Sequence, residues 1–173
     1  EFLDRIAKEF YPEHAEQAIS EFTETRLRSY YLQYPNIAVP GFRAMKEAKA
    51  LLNENHASAA FIFAASSIEY FLKTCLLRPV VYGLVHTEAL ADLVVELATK
   101  QMGLDRYRKL FDGLYSHLFD EEISQVQREQ APKPLLHEIE DVQRMRSGIL
   151  HRCERVQASD AQYALDGTGA VFG

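Results

Sequence analysis

The sequence predicts an all-helical protein. Apolar side chains recur every three or four residues along most of the chain, which places them on one face of an α-helix. No stretch of useful length alternates between apolar and polar residues, as a half-buried strand would. Most prolines and glycines fall between the periodic segments, where they indicate turns. We therefore expect seven or so helices.

The predicted helices form an N-terminal extension and a main domain. The extension covers 1–34, and its helix begins near Pro12, because proline suits a first helical position. The main domain covers 35–173. Its helices are expected at about 42–54, 57–77, 87–101, 104–118, 134–152 and 160–166. Loops are expected at 35–41, at 53–56 and over the polar segment 119–134.

The segment 57–77 is the most apolar of the chain and is about long enough to span a membrane. Glu69 and Lys73 lie within it, four residues apart, and three serines and a threonine dilute it further. These polar residues favour a central helix that is buried on most sides. We expect Arg78-Pro79 to end this helix, and we expect no membrane partner.

Composition limits the classes of function. The 173 residues, 47% of them hydrophobic, can bury one sizeable core. The net charge of −6 argues against an indiscriminate nucleic-acid coat protein, because a polyanion would be repelled. Cys75 and Cys153 do not suggest a disulfide framework, which favours a reducing, cytoplasmic location.

Several common motifs of catalysis and binding are missing. The sequence has neither a phosphate-binding glycine loop nor a dinucleotide fingerprint, and it has no nucleophile elbow. His137-Glu138 begins like a zinc-protease motif, but Asp141 stands where the second histidine belongs, and the cysteines lack metal-ligand spacing. We therefore expect no metal and no cofactor, so either a metal-free mechanism or no enzymatic activity remains.

The segment 141–155 is the best candidate for chemistry. It carries four arginines against two acidic residues, and it follows an acidic run over 120–140. A local anion site on an acidic protein would have this charge pattern. The simpler interpretation is a set of ordinary polar residues at a helix C-terminus, where positive charge interacts favourably with the helix dipole.

The residues from Arg144 to His151 resemble the signature of the HEPN domains, in which an arginine precedes a histidine by four to six residues near the end of a long helix. Four residues separate Arg146 from His151, and six separate Arg144 from His151. The short turn and the alanine-containing helix that follow are also similar to the family. So is the upstream helix pair, with Glu69 near its end. The resemblance covers roughly 42–166.

The resemblance implies an HEPN-like bundle of about five core helices and a metal-independent endoribonuclease whose site is shared by two protomers. In that chemistry the RNA 2′-hydroxyl attacks the adjacent phosphorus and leaves a cyclic phosphate. A histidine can move the protons near neutral pH, and an arginine matches the phosphate oxygens. The expected residues are Arg146 and His151 for catalysis, Arg144, Ser147 and Arg152 for phosphate binding, and Glu69 as support. Ser147 stands where the family usually has Asn, Asp or His.

Three residue roles remain open. Arg144 is the alternative to Arg146, because it lies on the same face of an ideal helix as His151. Glu69 has a simpler interpretation as a partner of Lys73. Gly148 indicates either a close approach to the backbone or a loosened helix end.

The function also has an alternative, a non-catalytic HEPN-like dimerisation or RNA-binding module of a larger protein, to which the start without Met adds support. Family analogy places the nuclease in toxin–antitoxin systems or antiviral defence. The expected partners are RNA, a second copy of the chain, and an antitoxin or another effector domain.

Overall fold

The computed structural model describes residues 24–85, 87, 89–91, 93–94, 122–129 and 131–172. Every regular element among these residues is helical, and none of them forms a strand, so the all-α prediction is confirmed. The predicted helix over 104–118 and the first 23 residues of the extension lie outside the described residues.

Six α-helices have defined bounds among the described residues. They are α1 (residues 24–33), α2 (Val39–Asn53), α3 (Ala57–Tyr70), α4 (Arg78–Leu84), α5 (Leu135–Arg152) and α6 (Ala158–Phe172). A π-helix, Phe71–Leu77, joins α3 to α4, and a 3-10 turn, Ile123–Gln125, precedes α5. The chain divides into two compact units, Glu1–Ile37 with Thr74–Lys100 and Ala38–Lys73 with Gln101–Gly173. The predicted domain boundary at 34/35 stays a prediction.

The second unit is built around α3, which contacts α2, α5 and α6. Its Phe61, Ala64 and Ile68 are fully buried. Thr168 of α6 is buried against it, and its hydroxyl donates to the carbonyls of Ala64 at 3.3 Å and Ala164 at 2.8 Å. A buried polar group is stabilised when it is hydrogen-bonded in this way. The expectation of a central buried helix is met over Ala57–Tyr70.

Within the described residues, one helical stretch, Ala57–Gly83, is long and apolar enough to cross a membrane by length and composition alone. Half of the most apolar 18-residue segment of this stretch is buried inside the structure. The core helix of a globular protein has the same features.

The prediction that Arg78-Pro79 ends the apolar helix is wrong. The chain continues through the π-helix into α4, where Pro79 lies in the first turn. Proline has no N–H to donate to the carbonyl four residues earlier, which belongs to Cys75. That carbonyl instead accepts a hydrogen bond from the Tyr31 hydroxyl at 2.7 Å. The wider π-helical turn makes room for the proline ring.

Two helices are longer than predicted. α2 begins inside the expected loop 35–41, because Pro40 fits the first turn of a helix. α6 passes Gly167 and ends at Phe172 rather than stopping near residue 166. The ring of Phe172 stacks on Phe42, with the ring centroids 4.1 Å apart. Tertiary packing therefore overrides the low helix propensity of glycine.

The polar segment before α5 contacts α5 and α6 through the side chain of Arg128. Arg128 donates from Nε and Nη2 to the two carboxylate oxygens of Glu138, at 2.7 and 2.9 Å. Glu138 is only 1% exposed, so its charge requires a partner. The guanidinium also lies over the Tyr163 ring, 5.9 Å from its centroid. The expected surface excursion over 119–134 is therefore wrong at Arg128.

Candidate functional site

The candidate site lies on the C-terminal half of α5, which ends in a Schellman-type turn. Cys153 adopts a left-handed backbone conformation, with φ of 54°. The N–H groups of Cys153 and Glu154 both donate to the carbonyl of Gly148, which satisfies an acceptor that the helix end leaves open. His151 and Arg152 occupy the last turn, where their side chains are exposed.

Three predicted site residues form a stripe along one exposed side of α5. His151 is seven residues from Arg144 and four from Ser147, which places them within about 20° and 40° of it around an ideal helix. All three side chains are exposed, and Arg144 is exposed by 76%. We call Arg144, Ser147 and His151 the α5 stripe. Arg144 also lies 3.1 Å from Asp141, one turn earlier.

Arg146 does not lie on the α5 stripe. It is five residues from His151, about 140° around an ideal helix, and its Nη1 lies 3.3 Å from Oε2 of Glu69 on α3. The other carboxylate oxygen of Glu69 accepts a hydrogen bond from Lys73 at 2.6 Å. The contact with Arg146 and the simpler pairing with Lys73 are therefore both present.

Gly148 is buried beneath a side chain that follows the helix. A Cβ atom at this position would overlap the Glu154 carboxylate and would lie 2.9 Å from Nη2 of Arg152. The glycine therefore allows a close approach, and the approaching group is the chain's own Glu154. Nothing in the sequence pattern marked Glu154 as a site residue, because it lies beyond the helix.

Each arginine among the predicted site residues forms an ion pair with a carboxylate. The pairs are Arg144 with Asp141, Arg146 with Glu69, and Arg152 with Glu154. The hydrogen bond from Arg152 lowers the pKa of Glu154 and raises that of Arg152. The basic segment seen in the sequence is thus largely neutralised by the chain's own acidic groups.

A second feature, absent from the predicted site, is an open cleft of about 420 Å³ at the start of α3. It is lined by residues 55–59 together with Arg155 and Val156. His56, the residue before the helix, makes no side-chain capping hydrogen bond. Arg155 is exposed and forms no ion pair with the described residues. The only sequence signal for this cleft was the position of Arg155 in the basic segment.

The part of the chain that the structure describes contains no group of three or more His, Cys, Asp and Glu side chains able to hold a metal ion. The expectation that the protein needs no metal or cofactor stays a prediction.

Comparison of the chain with protein-family models, with curated proteins and with solved structures gives no match. The HEPN resemblance therefore depends on the residues themselves.

Proposed function

We propose that the protein is a metal-independent endoribonuclease in which His151 transfers a proton. The observation that supports this proposal is the α5 stripe, where an imidazole, a hydroxyl and a guanidinium lie together in solvent. A phosphodiester bound along the stripe would pair its non-bridging oxygens with Arg144. Ser147 would donate a further hydrogen bond, and His151 would reach an oxygen that gains or loses a proton.

The reaction requires two proton transfers. The RNA 2′-oxygen forms a bond to the adjacent phosphorus and gives its proton to a base. The bond from phosphorus to the 5′-oxygen breaks, and that oxygen takes a proton from an acid, so the products carry a 2′,3′-cyclic phosphate and a 5′-hydroxyl. One imidazole supplies one of these roles at a time, neutral as the base or protonated as the acid. A second copy of the chain would supply the other, in agreement with the shared site that the HEPN resemblance implies.

The two candidate arginines have different places in this proposal. Arg144 is the phosphate contact, because it shares the exposed stripe with His151. Arg146 acts through Glu69, holding α5 against α3, and it would reach a phosphate only by leaving that ion pair. Comparison of the Arg144→Ala and Arg146→Ala variants in RNA cleavage and in stability tests both roles.

A non-catalytic dimerisation or RNA-binding module is the second candidate. The observation that favours it is Leu150, which is next to His151 and 47% exposed. This side chain would contribute apolar area to a contact with a second protein. Such a module would dimerise or bind RNA without turnover. Neither property would then depend on His151.

The test is incubation of the purified protein with mixed RNA in the presence of EDTA, beside the His151→Ala variant. EDTA inhibits contaminating nucleases that need a metal ion, because it chelates that ion. Cleavage by the wild type alone, leaving cyclic phosphate ends, is the expected result. Equal cleavage by the variant would refute the role of His151. An absence of cleavage by either protein, with the dimer intact in light scattering, would favour the second candidate.

A further inference from the structure

The Glu154 carboxylate rests on the face of α5 that carries the stripe. It fills the space above Gly148 that a Cβ atom would take. Gly148 is four residues after Arg144 and three before His151, so it lies between them on the same side of the helix. The chain thus places one of its own anionic groups beside the stripe along which the proposed function binds the RNA phosphate.

Two contacts hold this carboxylate in place. Oε1 of Glu154 accepts a hydrogen bond from Nε of Arg152 at 2.6 Å. The backbone N–H of Glu154 donates to the carbonyl of Gly148 at 3.3 Å, and the left-handed Cys153 turns the chain back to make that bond. The side chains of Arg152 and Glu154 are 61% and 50% exposed, so the pair is open to exchange with solutes.

We propose that Glu154 is an internal competitor of the RNA phosphate, an inference that rests on the proposed function. In the free protein its carboxylate binds the guanidinium of Arg152, the predicted phosphate-binding residue next to His151. A phosphodiester bound along the stripe extends to Arg152 and replaces the carboxylate there. Carboxylate and phosphate oxygens use the same N–H donors of an arginine, so the two anions exclude one another. The competitor lowers the affinity for RNA and thereby rejects ligands with too few phosphates to displace it.

Gly148 provides an independent way to remove the competitor. An alanine there would collide with the far ends of the Glu154 and Arg152 side chains, which can swing into solvent. Alanine also favours the helix over glycine, so the fold should tolerate the change. Gly148→Ala leaves the net charge unaltered, whereas Glu154→Gln removes one negative charge.

The experiment measures the affinity for a fluorescein-labelled single-stranded RNA by anisotropy, with the whole chain carrying His151→Ala to prevent turnover. Glu154→Gln and Gly148→Ala should each lower Kd by about two- to fivefold, the scale of an exposed ion pair. The matched control is Glu47→Gln. Glu47 is exposed on α2 and forms no ion pair with the described residues, so the same loss of charge should change Kd much less.

A double variant separates competition from a general effect of charge. In the Arg152→Ala background, Glu154→Gln should give no gain in affinity, because the donor for which the anions compete is gone. Two results would contradict the role of Glu154 as a competitor while leaving the proposed function intact. One is an equal RNA affinity for Glu154→Gln and Glu47→Gln, and the other is a gain in affinity from Glu154→Gln that persists in the Arg152→Ala background. Failure of every variant to bind RNA would overturn both.

The exchange also has a spectroscopic signature. Arg152 lowers the pKa of Glu154 through the hydrogen bond, so displacement by a phosphate should return that pKa upward toward its ordinary value. Carboxyl-detected NMR titration with and without RNA measures this change directly. A Glu154 pKa that RNA leaves unaltered would contradict the exchange.

Discussion

The guanidinium of Arg146 lies 3.3 Å from the carboxylate of Glu69, so the candidate motif on α5 is linked to the central helix of its unit. Glu69 also binds Lys73, and its single negative charge is shared between two cations. Arg146 and Glu69 are mostly buried, with 25% and 20% of their side chains exposed. By contrast, Arg144 is 76% exposed, and its partner Asp141 lies on the same helix.

This difference predicts opposite effects of two alanine variants. Arg146→Ala should lower the free energy of unfolding by about 1 kcal/mol, because it breaks a contact between helices. Arg144→Ala should change stability by less than about 0.5 kcal/mol. Under the proposed function, Arg144→Ala should also slow RNA cleavage by about 100-fold, as loss of a charged phosphate contact does. Urea unfolding and single-turnover cleavage measure the two effects, and the reverse order in either would restore Arg146 as the catalytic arginine.

Because the helix continues past Pro79, we expect substitutions at Pro79 and Tyr31 to have coupled effects on the free energy of unfolding. Tyr31→Phe removes the hydroxyl that binds the Cys75 carbonyl at 2.7 Å and should lower stability by about 1 kcal/mol. In a Pro79→Ala background the alanine N–H can bind this carbonyl, so the same change should have a smaller effect. A double-mutant cycle in urea unfolding measures the difference. Equal effects in both backgrounds would mean that the hydroxyl does not replace the missing N–H.

The buried carboxylate of Glu138 predicts a large loss of stability on neutralisation. Arg128 donates to both Glu138 oxygens, at 2.7 and 2.9 Å. Glu138→Gln replaces one of these acceptors with an NH2 donor and removes the charge that the guanidinium faces, so it should lower the free energy of unfolding by about 2 kcal/mol. Glu129→Gln is the matched control, since Glu129 is exposed and forms no ion pair within the described segments. A loss at Glu138 no larger than at Glu129 would show that the pair contributes little.

Much of the helical architecture could be predicted because apolar periodicity reports burial directly. The prediction of a helix at 134–152 is confirmed by Leu135–Arg152, and Leu136, Ile139 and Val142, which are three and six residues apart on this helix, are buried. The continuation of the helix past Pro79 could not be predicted, since the rule for proline is local. The carbonyl that Pro79 leaves open is satisfied by a side chain from a distant part of the sequence.

The candidate site was predictable to the same extent. The α5 stripe follows from spacing along one helix, because residues three, four and seven apart share a face. The partner of Arg146 does not follow, since Glu69 is on another helix. The position of Glu154 depends on a left-handed cysteine at residue 153, a conformation that favours glycine and that no local rule predicts for Cys.

The thiol of Cys75 predicts a loss of stability at high pH. Burial raises the pKa of this thiol from 9.0 to about 11, because the charged thiolate is poorly solvated in the folded chain. Between pH 9 and 11 the unfolded chain therefore loses a proton that the folded chain keeps, and this favours unfolding. The contribution is fully present below pH 9 and is lost as the pH rises to about 11. In urea unfolding from pH 8 to 11, Cys75→Ala should reduce the fall in the free energy of unfolding with pH. Cys153→Ala removes an exposed thiol and should leave that fall as steep as in the wild type. Parallel curves for the two variants would rule out Cys75 as the source.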